Sequence, residues 1–332
     1  MFNLSKSFYK YLILTILISL GIITILWFLF LPPNMFHDTA LYHVLTQDDK
    51  PIWLLDATNQ SKLPKQFRRT DEQFEDTTKP LPSLEGFATL NISGSAQFSA
   101  SEFKKMRELI PNNIVLVDLR QETHFFLDGS VISLYAYKNA INYNRTAKAI
   151  INEENKYINI VRSLPNFTYS IACKKKYGLI YEAHPIVVAV NNVMSLADFA
   201  KKQQVGYVRF FVLDRHIPRK EEIERFIQFV NTLPPNTWLH FFCRGGKGRT
   251  TTFMILYDIL KNAKNPGITF EDIIQRHILM GGTNLFAPPS PNMPAWLQKA
   301  KEDRQTFLKG FYDFVKNDQT DLQIIYENIH EK

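Results

Sequence analysis

Residues 240–253, "HFFCRGGKGRTTTF", contain the side chains best suited to chemistry on a phosphate group. Cys243 offers a thiol, and Arg249 follows it after five intervening residues. The loop between them contains three glycines, Gly245, Gly246 and Gly248. Glycines allow successive backbone N–H groups to turn toward one anion, and a guanidinium can bind two phosphate oxygens at once. The positive surroundings favour the thiolate form of Cys243, which is the nucleophilic one.

The elements around this loop are those expected of an anion site. "TWLHFF" predicts a buried strand that ends just before Cys243, and "RTTTFMILYDILKNA" predicts a buried helix that begins near Arg249. Ligands of α/β sheets bind beyond the carboxyl ends of strands, where a helix N-terminus offers free N–H groups. By composition alone, a buried cysteine before a glycine-rich turn is the competing interpretation. The spacing does not match a Walker A loop.

The rest of the chain predicts an α/β fold in which helices flank a central, mostly parallel sheet. Helical patterns occur in "SASEFKKMRELI", capped by Ser99 or Ser101, in "SLADFAKKQQ" and in "RKEEIERFIQFVNTL". Strand patterns occur in "NNIVLVDLR" and "GYVRFFVLD". Because strands alternate with helices in the C-terminal half, a largely parallel sheet is expected there.

Two regions depart from that alternation. Residues 34 to about 84 are rich in turn formers and charges, and we expect irregular structure that wraps the main body. Residues 131–190 contain runs such as "YINIVRSL", "YGLIYEA" and "PIVVAV", which predict a small inserted β subdomain. The predicted organisation is a linker at 34–62, a catalytic domain at 63–318 and a C-terminal tail at 319–332.

The N-terminus predicts a membrane anchor within residues 1–33. An uncharged apolar run of 21 residues extends from Tyr11 to Leu31, which is long enough to cross a bilayer. Lys6 and Lys10 precede it, and no Lys or Arg follows closely, so the N-terminus is expected in the cytosol and the catalytic domain in the periplasm or outside the cell. A cleaved signal peptide with secretion is the alternative.

Composition limits the possible partners. The formal net charge of +7 favours anionic ligands, but aromatic and basic residues do not interleave on one face as nucleic-acid binding would require. The two cysteines, Cys173 and Cys243, have no metal-ligand spacing and suggest no disulfide framework. A phosphorylated small molecule is therefore the expected partner.

The stretch from Cys243 to Thr250 resembles the CX5R(S/T) signature of cysteine-dependent phosphatases. Its surroundings are similar to those in the bacterial protein-tyrosine-phosphatase-like inositol phosphatases, also called cysteine phytases. Further pieces carry the same resemblance, which covers roughly residues 60–318: "LPKQFRRT", "NISGSAQFS", "VDLRQETHFFLDG", "VRFFVLDRHIP" and "FLKGFYDF".

The resemblance implies a phosphatase that needs no metal or cofactor. Cys243 would take the phosphoryl group, Asp214 of "LDRHIP" would protonate the leaving oxygen, and Arg249 with the loop N–H groups would bind the phosphate oxygens. Thr250 would donate a hydrogen bond to the sulfur. Asp118 and Arg120 are expected to brace the end of the sheet.

The basic loop residues Arg244 and Lys247 favour inositol polyphosphates as the substrate class, with phosphotyrosine and phosphoinositides as alternatives. Other cations are candidates for substrate contacts: Arg68, Arg215 and Lys301 foremost, then Arg69, Lys299 and Arg304. The family usually has histidine before the nucleophile and after the acid, where this chain has Phe242 and Arg215. Because of Phe242, the alternative remains that the protein is a catalytically weak phosphatase homologue that only binds polyphosphorylated ligands.

Overall fold

The computed structural model describes residues 50–72, 81–111 and 113–330, which belong to one compact unit. The predicted membrane segment, residues 11–31, lies outside these ranges. Within them, no helix is both long enough and apolar enough to cross a membrane.

The described residues form eleven strands and eight α-helices. The strands are β1 (Ile52–Ala57), β2 (Arg68–Arg69), β3 (Ile92–Ala96), β4 (Ile114–Asp118), β5 (His124–Leu127), β6 (Ser130–Tyr135), β7 (Asn166–Lys176), β8 (Leu179–Ala189), β9 (Val193–Met194), β10 (Gly206–Arg209) and β11 (Trp238–Cys243). The helices are α1 (Ala100–Arg107), α2 (Ala147–Arg162), α3 (Leu196–Lys202), α4 (Lys220–Asn231), α5 (Gly248–Asn262), α6 (Phe270–Leu279), α7 (Ala295–Lys316) and α8 (Gln323–His330).

The first sheet confirms the predicted α/β fold. Its five strands have the order β10-β4-β11-β3-β2, and only the short β2 runs antiparallel to its neighbour. Strand β11 lies in the middle, and all six of its residues are buried. Its side chains alternate between two apolar clusters, one formed with α4 to α8 and the other with α1 and α3, so helices cover both faces of the sheet.

The second sheet has six strands in the order β8-β7-β1-β6-β5-β9 and is mostly antiparallel. It includes β1 and β5, which lie outside the β-rich range 131–190, and that range also contains the helix α2. The 11-residue strands β7 and β8 form a long hairpin whose turn contains Tyr177 and Gly178.

Two expectations about local structure are wrong. Irregular structure was expected over residues 34–84, yet Ile52–Ala57 form β1, which pairs with β6 and β7. A strand was expected at "YINIVRSL", yet most of it completes α2, whose buried residues Ile150, Ile158 and Val161 follow a helical period from the N-cap Thr146. The expected helix cap at Ser99 is confirmed, because Ser99 and Glu102 form a capping box.

The C-terminal region contributes to the core. Helix α8 lies in the segment interpreted as a tail, and its residues Ile325, Tyr326 and Ile329 are buried against the first sheet's larger apolar cluster. The domain boundaries proposed from the sequence stay a prediction.

Candidate active site

A pocket of about 580 Å³ lies at the end of β11, and we call it the loop pocket. Its walls include Cys243 and the loop that follows it, together with the acid Asp214. Six cationic side chains line it: Lys62, Lys65, Lys175, Arg215, Arg244 and Lys247. Three acidic side chains line it as well: Asp56, Glu102 and Asp214. The excess of positive charge suits an anionic ligand with more than one charged group.

The loop that begins at Cys243 is shaped by close approach to β3. The thiol is 3% exposed and accepts a hydrogen bond from Thr250 Oγ1 at 3.2 Å. Gly246 has a φ of +67°, and a side chain there would collide with the backbone of Ser95 and Ala96. A side chain at Gly245 would meet no atom of the described residues within 4 Å, so this side of the loop is open. The loop is therefore closed behind and accessible in front, as a phosphate cradle requires.

Arg249 is buried and held from several directions. Its Nη1 and Nη2 donate to the Glu122 carboxylate at 2.6 and 2.9 Å, and Nη1 also donates to the carbonyls of Leu119 and Val212. Burial alone would raise the pKa of Glu122, but the charges of Arg249 and Arg120 outweigh it and hold the pKa well below its usual range. The buried Nε of Arg249 has no hydrogen-bond partner among the described residues. The Nε donor of Arg249 is thus left for a ligand.

Asp214 lies on the loop after β10, at the mouth of the pocket. Its Oδ1 is 3.3 Å from Arg249 Nη2, and its Oδ2 accepts from Asn139 Nδ2 at 3.3 Å. Burial acts to raise the pKa of Asp214, but Arg249 and Arg215 outweigh burial and lower it. Without substrate, the carboxylate is therefore the stable form of Asp214.

A row of alternating charges connects the loop to the second sheet, and we call it the charge row. Its members are, in order, Arg244, Asp56, Arg120, Glu122, Arg249 and Asp214. The four contacts within the first five members are 2.6, 2.7, 3.0 and 2.6 Å long. The side chains of Asp56 and Arg120 are completely buried. Because every charge in the row has an opposite neighbour, the buried groups remain compatible with the fold.

Arg304 on α7 is the cation from the C-terminal region that reaches the loop. A side chain at Gly248 would contact its guanidinium, and Arg304 interacts electrostatically with Asp214, Arg249 and Cys243. Burial lowers its pKa, and its Nη2 atom is buried without a hydrogen-bond partner among the described residues. A buried donor of this kind requires an anionic or polar partner.

Phe242 and His240 lie behind the nucleophile. Phe242 is fully buried and packs edge-on against Phe98, with ring centroids 4.9 Å apart. His240 lies between the hydroxyls of Ser93 and Ser95, at 2.8 and 3.0 Å. Burial and the charge of Arg68 lower the pKa of His240 to about 3, so its imidazole is neutral at ordinary pH. The residue directly before the nucleophile, where the family usually has histidine, is therefore a buried phenyl ring, and the imidazole of His240 is held by two serine hydroxyls.

Two of the predicted substrate contacts have other positions. Arg68 is buried behind the loop, where its Nη1 donates to the Gly246 carbonyl at 2.9 Å and its Nη2 to Thr251 Oγ1 at 3.0 Å. Lys301 donates to the carbonyl of Ala287 and does not line the loop pocket. Sequence spacing locates a cation along the chain but does not show on which side of a loop its side chain lies. Arg68 therefore supports the loop from behind.

Arg69 and Lys299 do not line the pocket either, because Arg69 pairs with Asp71 and Lys299 with Asp303. Arg215 and the loop residues do come together. Arg215 lines the pocket, donates to the carbonyl of Lys138 at 2.9 Å and lies beside Gly178 of the hairpin turn. Arg244, Gly245, Lys247 and Gly248 line the pocket as well. The sequence interpretation missed Asp56, Glu122, Lys62, Lys65 and Lys175. Glu122 could have been noticed because it occurs in "VDLRQETHF", two residues after Arg120, but nothing local links the other four to the loop.

Comparisons with known proteins agree with this geometry. A family model named PTP-like phytase, with the description "Inositol hexakisphosphate", matches residues 117–261. The structure of a PTP-like myo-inositol phosphatase from Mitsuokella multacida, in complex with myo-inositol-(1,3,4,5)-tetrakisphosphate, superposes with a TM-score of 0.78 at 29% identity. That match covers 87% of this chain and 49% of the other.

Two further relatives extend the comparison. A PTP-like phytase from Bdellovibrio bacteriovorus matches with a TM-score of 0.62 at 26% identity, over 82% of this chain and 92% of that one. The effector protein hopD2 of Pseudomonas syringae pv. tomato is 25% identical over 244 residues, which is 72% of this chain and 51% of that protein. The chain thus spans about half the length of hopD2 and of the Mitsuokella protein.

A buried cysteine at the end of a parallel strand, a glycine-rich loop and an arginine at the start of the next helix define the architecture of a cysteine-based phosphatase. Residues 117–261 match the family of protein-tyrosine-phosphatase-like phytases, and solved structures similar to this chain are members of that family. Its homologues in this family are phosphoric monoester hydrolases that act on inositol phosphates.

Proposed function

We propose that the protein hydrolyses phosphomonoesters of myo-inositol polyphosphates through a phosphocysteine intermediate. The observation that carries this proposal is that two buried guanidinium nitrogens, Nε of Arg249 and Nη2 of Arg304, have no hydrogen-bond partner among the described residues; a third such nitrogen, Nε of Arg68, belongs to the arginine behind the loop. Arg249 and Arg304 both interact electrostatically with Cys243. A phosphate held over the thiol would give each of these donors an acceptor.

The first step transfers the phosphoryl group. The Cys243 thiolate attacks phosphorus and forms the S–P bond, while the P–O bond to the ring breaks and its electron pair stays on the leaving oxygen. That oxygen takes the proton of Asp214. Arg249 and the loop N–H groups stabilise the charge on the three remaining oxygens.

The second step regenerates the enzyme. Water attacks phosphorus and gives a proton to the Asp214 carboxylate, the S–P bond breaks, and Cys243 leaves as thiolate. The hydroxyl of Thr250, 3.2 Å from the sulfur, stabilises that thiolate by donating a hydrogen bond.

The ion pair between Asp214 and Arg249 implies that substrate binding itself promotes protonation of Asp214, the general acid. A bound phosphate dianion competes with Asp214 for Arg249 and places negative charge beside the carboxylate. Both effects raise the pKa of Asp214 and favour its neutral form. The phosphate is a nearby anion, and Arg249, once it binds the phosphate, lowers the pKa of the carboxyl less than before. Asp214 would therefore be protonated when the leaving oxygen needs a proton.

The number of cations favours inositol polyphosphates over a singly phosphorylated peptide. One phosphate is sufficient to engage Arg249 and Arg304. The other pocket cations would have no phosphate to bind with a monophosphate but could meet the remaining phosphates of a polyphosphorylated ring. Phosphotyrosine peptides and phosphoinositides are the alternative substrates.

Phosphate release from inositol hexakisphosphate and from a phosphotyrosine peptide tests the function, with Cys243→Ser as the matched inactive variant. We expect the wild type to prefer the inositol phosphate and Cys243→Ser to lose at least about 10³-fold in rate. Equal rates of the two proteins on both substrates would show a protein that only binds its ligand. Hydrolysis of the peptide alone would contradict the substrate assignment.

From the sequence we further propose that residues 11–31 anchor the protein in a membrane, with the catalytic domain in the periplasm or outside the cell. The uncharged run and the two preceding lysines support this proposal. Protease added to cells with a permeabilised outer surface should digest the catalytic domain. Protection until the inner membrane is lysed would contradict the orientation.

A further inference from the structure

Asp56 is a buried carboxylate whose two oxygens contact two different arginines. Its Oδ1 accepts from Arg244 Nε at 2.6 Å, and its Oδ2 accepts from Arg120 Nη2 at 2.7 Å. Burial alone would raise the pKa of Asp56, but Arg244 and Arg120 outweigh burial and lower it. Asp56 is therefore ionised, and it lies in the wall of a pocket that otherwise favours anions.

The bond from Asp56 fixes the direction of Arg244. With Nε held by Asp56 and the guanidinium lying 5.2 Å from the centre of the Tyr135 ring, the planar group is restrained at one edge and on one face. The two terminal nitrogens of Arg244 make no hydrogen bond to any described residue. The side chain is 16% exposed and lines the loop pocket. The opposite edge of the guanidinium is thus available for a ligand.

The place of Arg244 in the loop determines which group it can meet. It directly follows Cys243, so a phosphate in the cradle is already surrounded by the loop N–H groups and by Arg249. A guanidinium held beside that cradle, in the wall formed by β1, reaches the next charged group of the same ligand. Restraint before binding matters because a free arginine would lose rotamer entropy when it ordered on the ligand.

We propose that Asp56 is a positioning residue that holds Arg244 as the receptor for a second phosphate, beside the one that Cys243 attacks. The inference rests on the proposed function and makes a ligand with neighbouring phosphates the preferred one. Asp56 itself does not touch the ligand, because both of its oxygens are occupied by arginines.

Electrostatics alone predicts the opposite effect of removing this carboxylate. Loss of a negative charge from a pocket for anions should strengthen binding of a polyanion and lower its KM. Loss of a positioning residue should weaken the contact with Arg244 and raise KM. The direction of the change therefore separates the two roles.

The experiment compares Asp56→Asn, Arg244→Gln and the double variant, in the full chain, on inositol hexakisphosphate and on p-nitrophenyl phosphate. We expect Asp56→Asn to raise KM for the hexakisphosphate about tenfold, with a much smaller change for the monophosphate. In the Arg244→Gln background, Asp56→Asn should add almost nothing, since the two substitutions remove one interaction. Glu102→Gln is the matched control: it removes a pocket carboxylate while the side-chain amide can still cap α1.

Three results would overturn the inference: a lower KM for Asp56→Asn, a full effect of Asp56→Asn without Arg244, or equal changes on both substrates. Thermal melting shows whether Asp56→Asn folds. If Asp56→Asn does not fold, Arg244→Lys takes its place, because lysine retains the positive charge without the Nε donor. A wild-type KM of Arg244→Lys for the hexakisphosphate would also overturn the inference.

The inference and the proposed function fail in different ways. Calorimetric titration of inositol hexakisphosphate into Cys243→Ser, with and without Asp56→Asn, measures positioning without turnover. If Cys243→Ser combined with Asp56→Asn binds the hexakisphosphate about tenfold more weakly than Cys243→Ser alone, the role of Asp56 is supported even if the wild type hydrolyses nothing. Unchanged or tighter binding by Cys243→Ser combined with Asp56→Asn contradicts the role of Asp56.

Discussion

The two sheets contribute different parts of the same pocket. The first sheet, mostly parallel, carries the nucleophile Cys243 at the end of its central strand and the acid Asp214 on the loop after β10. The second sheet, mostly antiparallel, contributes Asp56 from β1 and Lys175 from the β7–β8 hairpin. The groups proposed to break and form bonds come from the first sheet. The second sheet contributes Asp56, proposed to hold Arg244 toward a second phosphate, and Lys175, proposed to act on the rest of the ligand.

This difference follows from strand geometry. Parallel strands end at one edge, so loops and helix N-termini gather there and can surround one phosphate with backbone donors. A long antiparallel hairpin instead extends past the edge of its sheet and presents side chains at a distance from the loop. We therefore expect changes to Cys243, Arg249 and Asp214 to affect every substrate whose leaving oxygen needs a proton. Changes in the second sheet should affect only ligands with several phosphates.

The largest effect is expected from Asp214→Asn. The asparagine cannot protonate the leaving oxygen, so kcat should fall about 10²- to 10⁴-fold on inositol hexakisphosphate and on a phosphotyrosine peptide alike. For the wild type, kcat should fall as pH rises through the pKa of bound Asp214, and the variant should lack this limb. The control is p-nitrophenyl phosphate, whose good leaving group needs the acid less. A loss confined to the hexakisphosphate would contradict the assignment of general chemistry to the first sheet.

A smaller effect, on stability, is expected from Phe242→His. The substitution puts an imidazole into the apolar cluster around Phe98 and Phe103, where it would lack a partner. The free energy of unfolding should fall by about 1–3 kcal/mol, measured by urea denaturation, with no gain in kcat. Phe242→Leu, which stays apolar, serves as control. A higher kcat of Phe242→His would instead show that apolar packing in the first sheet is not the reason for phenylalanine at this position.

The smallest effect is expected from Lys175→Gln in the second sheet. Loss of one exposed cation should raise KM for inositol hexakisphosphate about three- to fivefold and leave kcat nearly constant. Lys174→Gln is the matched control, because Lys174 is 75% exposed, pairs with Glu182 and does not line the pocket. Equal effects of the two lysines would indicate long-range attraction, and the hairpin would then have no specific role.

The parts of the site that are local in sequence could be predicted. The cysteine, the glycines and Arg249 lie within seven residues, and a strand before them and a helix after them fix their arrangement. The helices and strands of the first sheet were predictable for the same reason, since each has a clear apolar period. Asp56 could not be predicted, because it lies 188 residues from Arg244 and meets it only through the pairing of β1 with β6 and β7.

The incorrect expectations have a common physical origin. In "YINIVRSL" the β-branched residues suggested a strand, but the helical period is visible only when residues from Thr146 onward are included. For Arg68 the basic character was noticed, but its direction depends on the antiparallel pairing of β2 with β3. In both cases the deciding information lies outside the short window from which the prediction was made.

The charge row has a consequence for how this protein can change over time. Removal of any inner member strands a buried opposite charge, which typically costs about 3–5 kcal/mol, a large part of a domain's stability. A substitution at Arg120 would therefore be tolerated only together with a change at Asp56 or Glu122. Drift at these positions should occur in correlated pairs, so that the ancestry of the loop and that of strand β1 are linked even though they lie far apart in the gene.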